Sequence, residues 1–274
     1  MPKPDRDTGL LVDALARRDV TAQVVAWDAP FDWSSCRLAL IRSPWNYWRH
    51  LGAFLEWGEA VSQVTRLLNP LSVIQWNCEK TYLFELQNAG LPILPTVHFR
   101  AGEPPSVDRL FANEFSGELV IKPTIGAGSN GALRARKDDL AFLPHLEVLL
   151  SRSDALAQPY VPDVSANGEM SLIYFEGKYS HAIRKRPAEG DFRVQDQYGG
   201  TLHEHTPSPR EMEIAEAAIA AVPETTLYGR VDLVYFEGQP AIMELEVIEP
   251  ELFLRKSEKG VERFASALQS HLAQ

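Results

Sequence analysis

Cysteine is nearly absent from this chain. Only Cys36 and Cys78 occur, far apart and outside any CxxC or Cys/His spacing, so neither a zinc site nor a disulfide framework is written into the sequence. A reducing, cytoplasmic setting is the expectation that follows. Positive charge is also short: 27 Lys and Arg stand against 37 Asp and Glu, a formal net charge of −10. No basic cluster interrupts that balance, which argues against nucleic acid as a partner, because binding phosphates by counterion release needs clustered cations. No apolar run approaches the roughly 18 residues of a membrane span, and the opening MPKPDRDTG lacks the apolar core of a signal peptide. Low-complexity tracts are missing too, and the tetrapeptide YFEG, which occurs twice, is too short to be called a repeat.

What is present is ordinary globular composition, 274 residues with 45% hydrophobic and 23% charged, enough for one large or two modest domains. Leu10, Leu11, Ala14, Leu15 and Arg18 recur at helical spacing, and VTAQVVAWD then reads as a short strand. CRLALIRSP is a buried strand running into a loop at Pro44, and LGAFLEWGEAVSQV is an amphipathic helix. The first 75 or so residues thus alternate as a small α/β domain, with no strand before its first helix. EKTYLFELQNAG reads as a helix stopped at Gly90, followed by the extended segment PILPTVHF.

From about Glu118 the pattern becomes β-rich: ELVIKP, GALRAR, a helix over roughly Asp138 to Arg152, then ALAQPYV. Two hairpins follow, GEMSLIYFEGKYSHAIRK about Gly177 and GRVDLVYFEGQPAIMELEV about Gly238. Between them lie GDFRVQDQYGG and the helix SPREMEIAEAAIAAV, whose Ser208, Pro209 and Glu211 form a capping-box start.

Gly126, Gly128 and Gly131 satisfy the G-x-G-x-x-G spacing. A dinucleotide-binding turn of that kind follows a strand, opens a helix and meets an acidic residue about twenty positions later. Only the first condition holds, because ALRARKDD alternates as a strand and Glu147 falls inside the later helix. A strand–turn–strand flap is the better reading, with glycines that let backbone N–H groups approach phosphate oxygens. Lys122 ends the preceding strand just before Pro123, where an ammonium could reach a phosphate held under the flap.

Folding the second hairpin about Gly238 sets Asp232 opposite Glu244, with Glu246 on the same face. Three carboxylates in an otherwise apolar segment call for a cation. Hard oxygen donors of this kind suit Mg²⁺ bridged to substrate phosphates, and Arg230 could neutralise part of the charge. An edge hairpin with a solvated acidic face is the structural alternative. The first hairpin, treated alike, pairs Glu169 with Lys185, an ordinary cross-strand ion pair unless it serves a ribose hydroxyl and a phosphate. His203 and His205 lie in a polar LHEHTPSP loop and read as exposed.

Taken in order, Lys80 in NCEKTYLFEL, Lys122 in VIKP, the flap, QPYV, GEMSL, GDFRV…GG, RVDL and MELE resemble the ATP-grasp superfamily. The likeness is to glutathione synthetase-like and ribosomal-protein glutamate ligase-like members and to ring-closing ligases of the cycloserine type. The resemblance implies an ATP-grasp fold, α/β of the α+β kind, with two subdomains clamping ATP behind a small Rossmann-like domain. Residues 1–75 would be that N-terminal domain and 76–274 the ATP-grasp domain, its lid at about 95–157.

It further implies an ATP- and Mg²⁺-dependent carboxylate–amine ligase acting through an acyl phosphate on a small amino-acid-like or peptide substrate. Lys80, Lys122, Gly126, Gly128, Ser129 and Gly131 would hold and cover the phosphates. Gln158, Tyr160 and Val161 would line the adenine pocket, and Glu169 would take the ribose. Lys185, Arg193 and Arg230 would serve catalysis, and Asp232, Glu244 and Glu246 would carry one or two Mg²⁺. Glu246 stands where the family often has Asn, and its added charge bears on how many metals are held.

The partners implied are a small carboxylate and an amine, without nucleic acid or membrane; a homo-oligomer is compatible. The IRSPWNYW loop, with Arg42, Ser43, Trp45, Asn46 and Tyr47, is the candidate acceptor surface, or else a domain-packing cluster. A small-molecule kinase would fit the same scaffold. An NAD-dependent oxidoreductase is disfavoured by the missing helix after Gly131, and a non-catalytic nucleotide-binding protein by the complete set of charged residues.

Overall fold

The computed structural model describes residues 5–110, 117–136, 138–195 and 198–273. Its first elements are α1 (Thr8–Ala16), β1 (Leu38–Leu40), α2 (Leu51–Val64), β2 (Arg66–Leu68), α3 (Leu71–Asn77) and α4 (Tyr82–Asn88). β1 and β2 pair in parallel, with α2 as the crossover that such a pair requires. The apolar stripe of α2 buries Phe54 and Val61, and Trp27, Trp33 and Trp57 pack edge-on or stacked around Phe54 and one another. α4 stops at Gly90, which sits at φ +84° as a C-terminal stop requires.

The strand expected over VTAQVVAWD is not there. A strand needs a partner for its N–H and C=O groups, and β1 is paired in a two-stranded sheet with β2. The segment instead runs irregularly over the surface, with Val24 69% exposed. Conversely, α3 lies in a stretch, NPLSVIQWN, in which the periodicity had marked no helix.

The second layer contains β3 (Val97–Phe99), α5 (Val107–Leu110), β4 (Glu118–Pro123), β5 (Leu133–Arg136), α6 (Leu143–Leu150) and β6 (Ala155–Pro159). Its four strands form an antiparallel sheet in the order β3-β6-β4-β5. One face carries Phe99, Leu119, Ile121, Ala155 and Ala157 against Leu110 and Leu146 of the helices. β4 and β5 are the two arms of the glycine flap, so the strand–turn–strand reading holds.

The third layer comprises α7 (Asp163–Asn167), β7 (Glu169–Phe175), β8 (Lys178–Arg186), β9 (Thr201–Glu204), α8 (Pro209–Ala220), β10 (Tyr228–Phe236), β11 (Gln239–Glu246) and α9 (Glu258–Leu272). Its sheet order is β11-β10-β7-β8-β9, antiparallel throughout. Ile214, Ala215 and Ala218 of α8 pack on Leu172, Leu233 and Ile242 of the sheet, while Phe264 of α9 stacks on Phe175, ring centroids 4.6 Å apart. The capping box of α8 is present: Glu211 N–H donates to Ser208 Oγ at 3.2 Å and Ser208 N–H to Glu211 Oε2 at 2.6 Å.

Both long hairpins reach the expected pairing by a route the sequence does not show. The second has a two-residue turn, Glu237 and Gly238, both at positive φ, so pairing starts at Phe236 and Gln239. A bulge between Asp232 and Leu233 then shifts the register by one and sets Asp232 opposite Glu244. The first repeats the device, with a bulge between Ile173 and Tyr174 and Glu169 opposite Lys185.

His181 on β8 yields the first prediction. Its Nε2–H donates to the Leu252 carbonyl at 2.9 Å, and the Ser180 hydroxyl lies 2.9 Å from Nδ1. Burial, with Arg263 adding to it, holds its pKa below the ordinary 6.5. The unfolded chain therefore binds the proton more readily, so this contribution is intact above about pH 6.5 and is lost as pH falls. The melting temperature should drop from about pH 7 to about pH 5.5, and drop less in His181→Gln; equal slopes would contradict this.

Candidate active site

The second and third layers both line a cleft of about 800 Å³, and the loop after β1 contributes to its wall. Lys80, Lys122, Gly126, Gly128, Ser129, Gln158, Tyr160, Val161, Glu169, Lys185, Arg193, Arg230, Asp232, Glu244 and Glu246 all line it. The structure thus brings together nearly the whole set read from the sequence. Gly131 stands at the base of the flap rather than in the wall, at φ +75°, a conformation that glycine adopts without strain.

Asp232 and Glu244 face each other across β10 and β11, and each of Asp232, Glu244 and Glu246 offers an oxygen within 4.8 Å of the others. Cations bracket this cluster. Arg230, itself buried, donates from Nη2 to Asp232 Oδ2 at 2.8 Å and from Nη1 to the Glu251 carbonyl at 3.1 Å, and it also contacts Glu246. Lys122 Nζ lies 3.3 Å and Lys80 Nζ 3.6 Å from Glu244 Oε1. Lys185 pairs with Glu169 and reaches Asp232 Oδ1 at 3.4 Å. With both partners buried, the Glu169–Lys185 pair is not an ordinary surface ion pair.

The charges divide the carboxylates. Burial works against ionising Glu244, yet Lys122 and Lys80 overcome it and hold the carboxyl at about 2. Asp232 is likewise opposed by burial and held far below the usual range by Arg230 and Lys185. Glu246 is pushed up to about 7, because desolvation outweighs Arg230 while Asp232 and Glu244 repel it. Three converging hard oxygen donors, two of them firmly ionised, fit a divalent cation of the Mg²⁺ type.

Lys80 also donates from Nζ to the Gly126 carbonyl at 2.7 Å, tying the flap to the turn between α3 and α4. In the flap, Gly128 and Ser129 both sit at positive φ, 62° and 59°. Gln158 is buried with its amide donating to Thr96 Oγ1 at 3.0 Å, and the ring of Tyr160 carries Arg134 at 3.7 Å.

The loop after β1 divides between the two readings given to it. Trp45, Asn46 and Tyr47 line the cleft, joined by Trp48 and Arg49. Arg42 and Ser43 instead turn to Asp5, at 3.4 Å and 2.6 Å, and Tyr47 also packs on Phe54. His205 is a correction: its side chain is only 6% exposed, wedged between Arg184 and Glu211 at 3.0 Å and 3.1 Å.

Glu249, Glu251 and Phe253, which follow β11, were not anticipated and line the cleft. Glu249 is pushed up to about 8 by burial and the repulsion of Glu246. The segment IEPELF directly follows the metal-type strand, and that adjacency was the available signal.

Residues 106–250 match the prokaryotic glutathione synthetase ATP-grasp domain, and residues 1–69 match the N-terminal domain of the D-cycloserine synthetase DcsG. The cycloserine biosynthesis protein DcsG of Streptomyces lavendulae is 35% identical, over 98% of this chain and 94% of its own. A crystal structure of D-cycloserine synthetase DcsG superposes with a TM-score of 0.88 at 32% identity, covering 98% and 95% of the two chains. D-alanine–D-alanine ligase from Bacillus anthracis shares the fold at a TM-score of 0.69 and 14% identity, over 99% and 95%.

Proposed function

This chain belongs to the ATP-grasp family and is an ATP-dependent, ADP-forming ligase of carboxylate and amine, and we propose that it acts through an acyl phosphate formed at the carboxylate–lysine centre. The observation that carries this reading is the convergence of Lys80 and Lys122 on Glu244 beneath the glycine flap. Four carboxyl groups, Glu169, Asp232, Glu244 and Glu246, of which Asp232 and Glu244 are held ionised, meet the four cations Lys80, Lys122, Lys185 and Arg230. Carboxylates and cations gathered so closely favour uptake of a metal and a polyanion together, since either alone would leave charge uncompensated.

Asp232, Glu244 and Glu246 would hold Mg²⁺, which when bound neutralises triphosphate charge. Lys80 and Lys122 bind phosphate oxygens, and the flap covers them and excludes water. The acceptor carboxylate attacks the γ-phosphorus, ADP leaves, and an acyl phosphate results. The amine then attacks the acyl carbon, inorganic phosphate departs, and the amine proton is released. Arg193 stabilises oxygen charge in both steps. Two modest barriers replace one high one.

Trp45, Asn46 and Glu249 bound the end of the cleft where the acceptor sits. Shared with a nucleotide, a cleft of about 800 Å³ suits a small, amino-acid-like acceptor better than a peptide. The relative's name puts formation of cycloserine first among reactions to try. The three separate sheets among the described residues support a division into residues 1–75 and 76–274 with a lid at about 95–157. The two free cysteines are consistent with a cytoplasmic enzyme, and no helix among the described residues is long and apolar enough to cross a membrane.

The test supplies Mg·ATP, a panel of small amino acids and derivatives, and hydroxylamine, which intercepts acyl phosphates. Hydroxamate appearing in step with ADP and free phosphate is the expected result. A stable phosphorylated acceptor without free phosphate would establish the kinase instead, and release of AMP would overturn the mechanism.

A further inference from the structure

Arg193 lies in the loop after β8 rather than on a strand, yet its guanidinium is fixed on two sides. Asp191 takes an edge: Arg193 Nη2 donates to Oδ2 at 2.8 Å and Nε to Oδ1 at 3.0 Å. The same Oδ1 accepts the backbone N–H groups of Phe192 at 2.7 Å and Arg193 at 2.9 Å, so the carboxylate fixes both ends of the arginine. The flat face is covered by Tyr198, whose ring centroid is 3.6 Å from the guanidinium carbon.

Directly after the tyrosine the chain lies close to Val194 and Gln195. Gly199 sits at φ +82°, and the Gly200 N–H donates to the Gln195 carbonyl at 3.3 Å. A Cβ on Gly200 would lie 2.0 Å from the Val194 carbonyl oxygen, so a side chain at this position is incompatible with this approach. Arg193 and Tyr198 line the cleft, whereas Asp191 stands behind them.

We propose that Asp191 and Tyr198 are positioning residues that hold Arg193 ready for the transferred phosphoryl group, with Gly200 letting the chain after the tyrosine close against Val194. The proposal rests on the role given above to Arg193. Its chemical logic is competition. A loose guanidinium in a cleft that also holds Glu169, Asp232, Glu244, Glu246, Glu249 and Glu251 would have several carboxyl groups as alternative partners. Asp191 occupies two of the five N–H donors, fixes the plane and leaves donors for phosphoryl oxygens, so no reorganisation is needed during transfer.

The test requires no acceptor. Affinities for Mg·ADP and for the non-hydrolysable Mg·AMPPNP are measured by titration calorimetry, and their ratio reports what the γ-phosphate adds. Arg193→Ala should lower that ratio about tenfold, and Asp191→Asn and Tyr198→Ala about three- to tenfold, with Mg·ADP affinity unchanged. Asp191→Glu should restore part of the loss. If Arg193→Ala lowers the ratio and Asp191→Asn leaves it alone or raises it, Asp191 does not position the arginine and the proposal falls. An equal loss of ADP and AMPPNP affinity in Asp191→Asn would reduce it to a folding residue. No change in Arg193→Ala would remove the assigned role of Arg193 and the proposal with it.

Discussion

Replacing Lys122 with alanine is expected to lower ligation by about 10²–10³-fold, the usual consequence of removing one preorganised group that meets developing charge. Lys122 ends β4 with its ammonium 3.3 Å from Glu244. The change would withdraw a phosphate ligand and also one of the two cations that keep Glu244 ionised. Glu244→Gln should be harsher, about 10³-fold or more, because several kcal/mol of metal-borne charge stabilisation would go with the carboxylate. Initial rates of ADP release measure both, and a rate within about threefold of wild type in either variant would contradict the assignment.

Arg230→Met should cost about 3–5 kcal/mol of folding stability, the range for breaking a buried pair from one side. Asp232 is only 1% exposed and relies on Arg230 for three of its hydrogen-bonded contacts, with Glu246 drawing on the same guanidinium. Methionine fills comparable volume but leaves both carboxylates facing Glu244 without that cation. For a chain of this size the loss corresponds to roughly 6–20 °C in melting temperature. Millimolar Mg²⁺ should recover more of it in the variant than it adds to wild type, since a cation that binds only the folded state substitutes for the lost charge. A cost below about 1 kcal/mol, or no extra response to Mg²⁺, would mean that Arg230 does not neutralise the cluster.

The two hairpins show why so much of the site was legible. Reading each as folded about its glycine places a one-residue turn where the chain has two, and ignores a bulge. The two omissions cancel, so Asp232 and Glu169 still meet Glu244 and Lys185. Alternation in strands and the Ser208–Glu211 capping box are local signals, and they survive without knowledge of the tertiary structure. VTAQVVAWD failed for the opposite reason: its apolar alternation is a local preference, but a ladder needs a neighbour that only the fold supplies. Asp191 and Glu249 escaped notice because their meaning lies in what they touch, Arg193 and the cleft wall. The polar surroundings of His205 in sequence hid that Arg184 and Glu211 enclose it in space.

The most direct test of the account is titration of ADP into wild type and Glu244→Gln, with and without Mg²⁺. If Asp232, Glu244 and Glu246 hold the metal beside the lysines, Mg²⁺ should tighten ADP binding about tenfold or more in wild type and hardly at all in the variant. The same Mg²⁺ response in both proteins, or none in either, would contradict the placement of the metal and the phosphates at this centre.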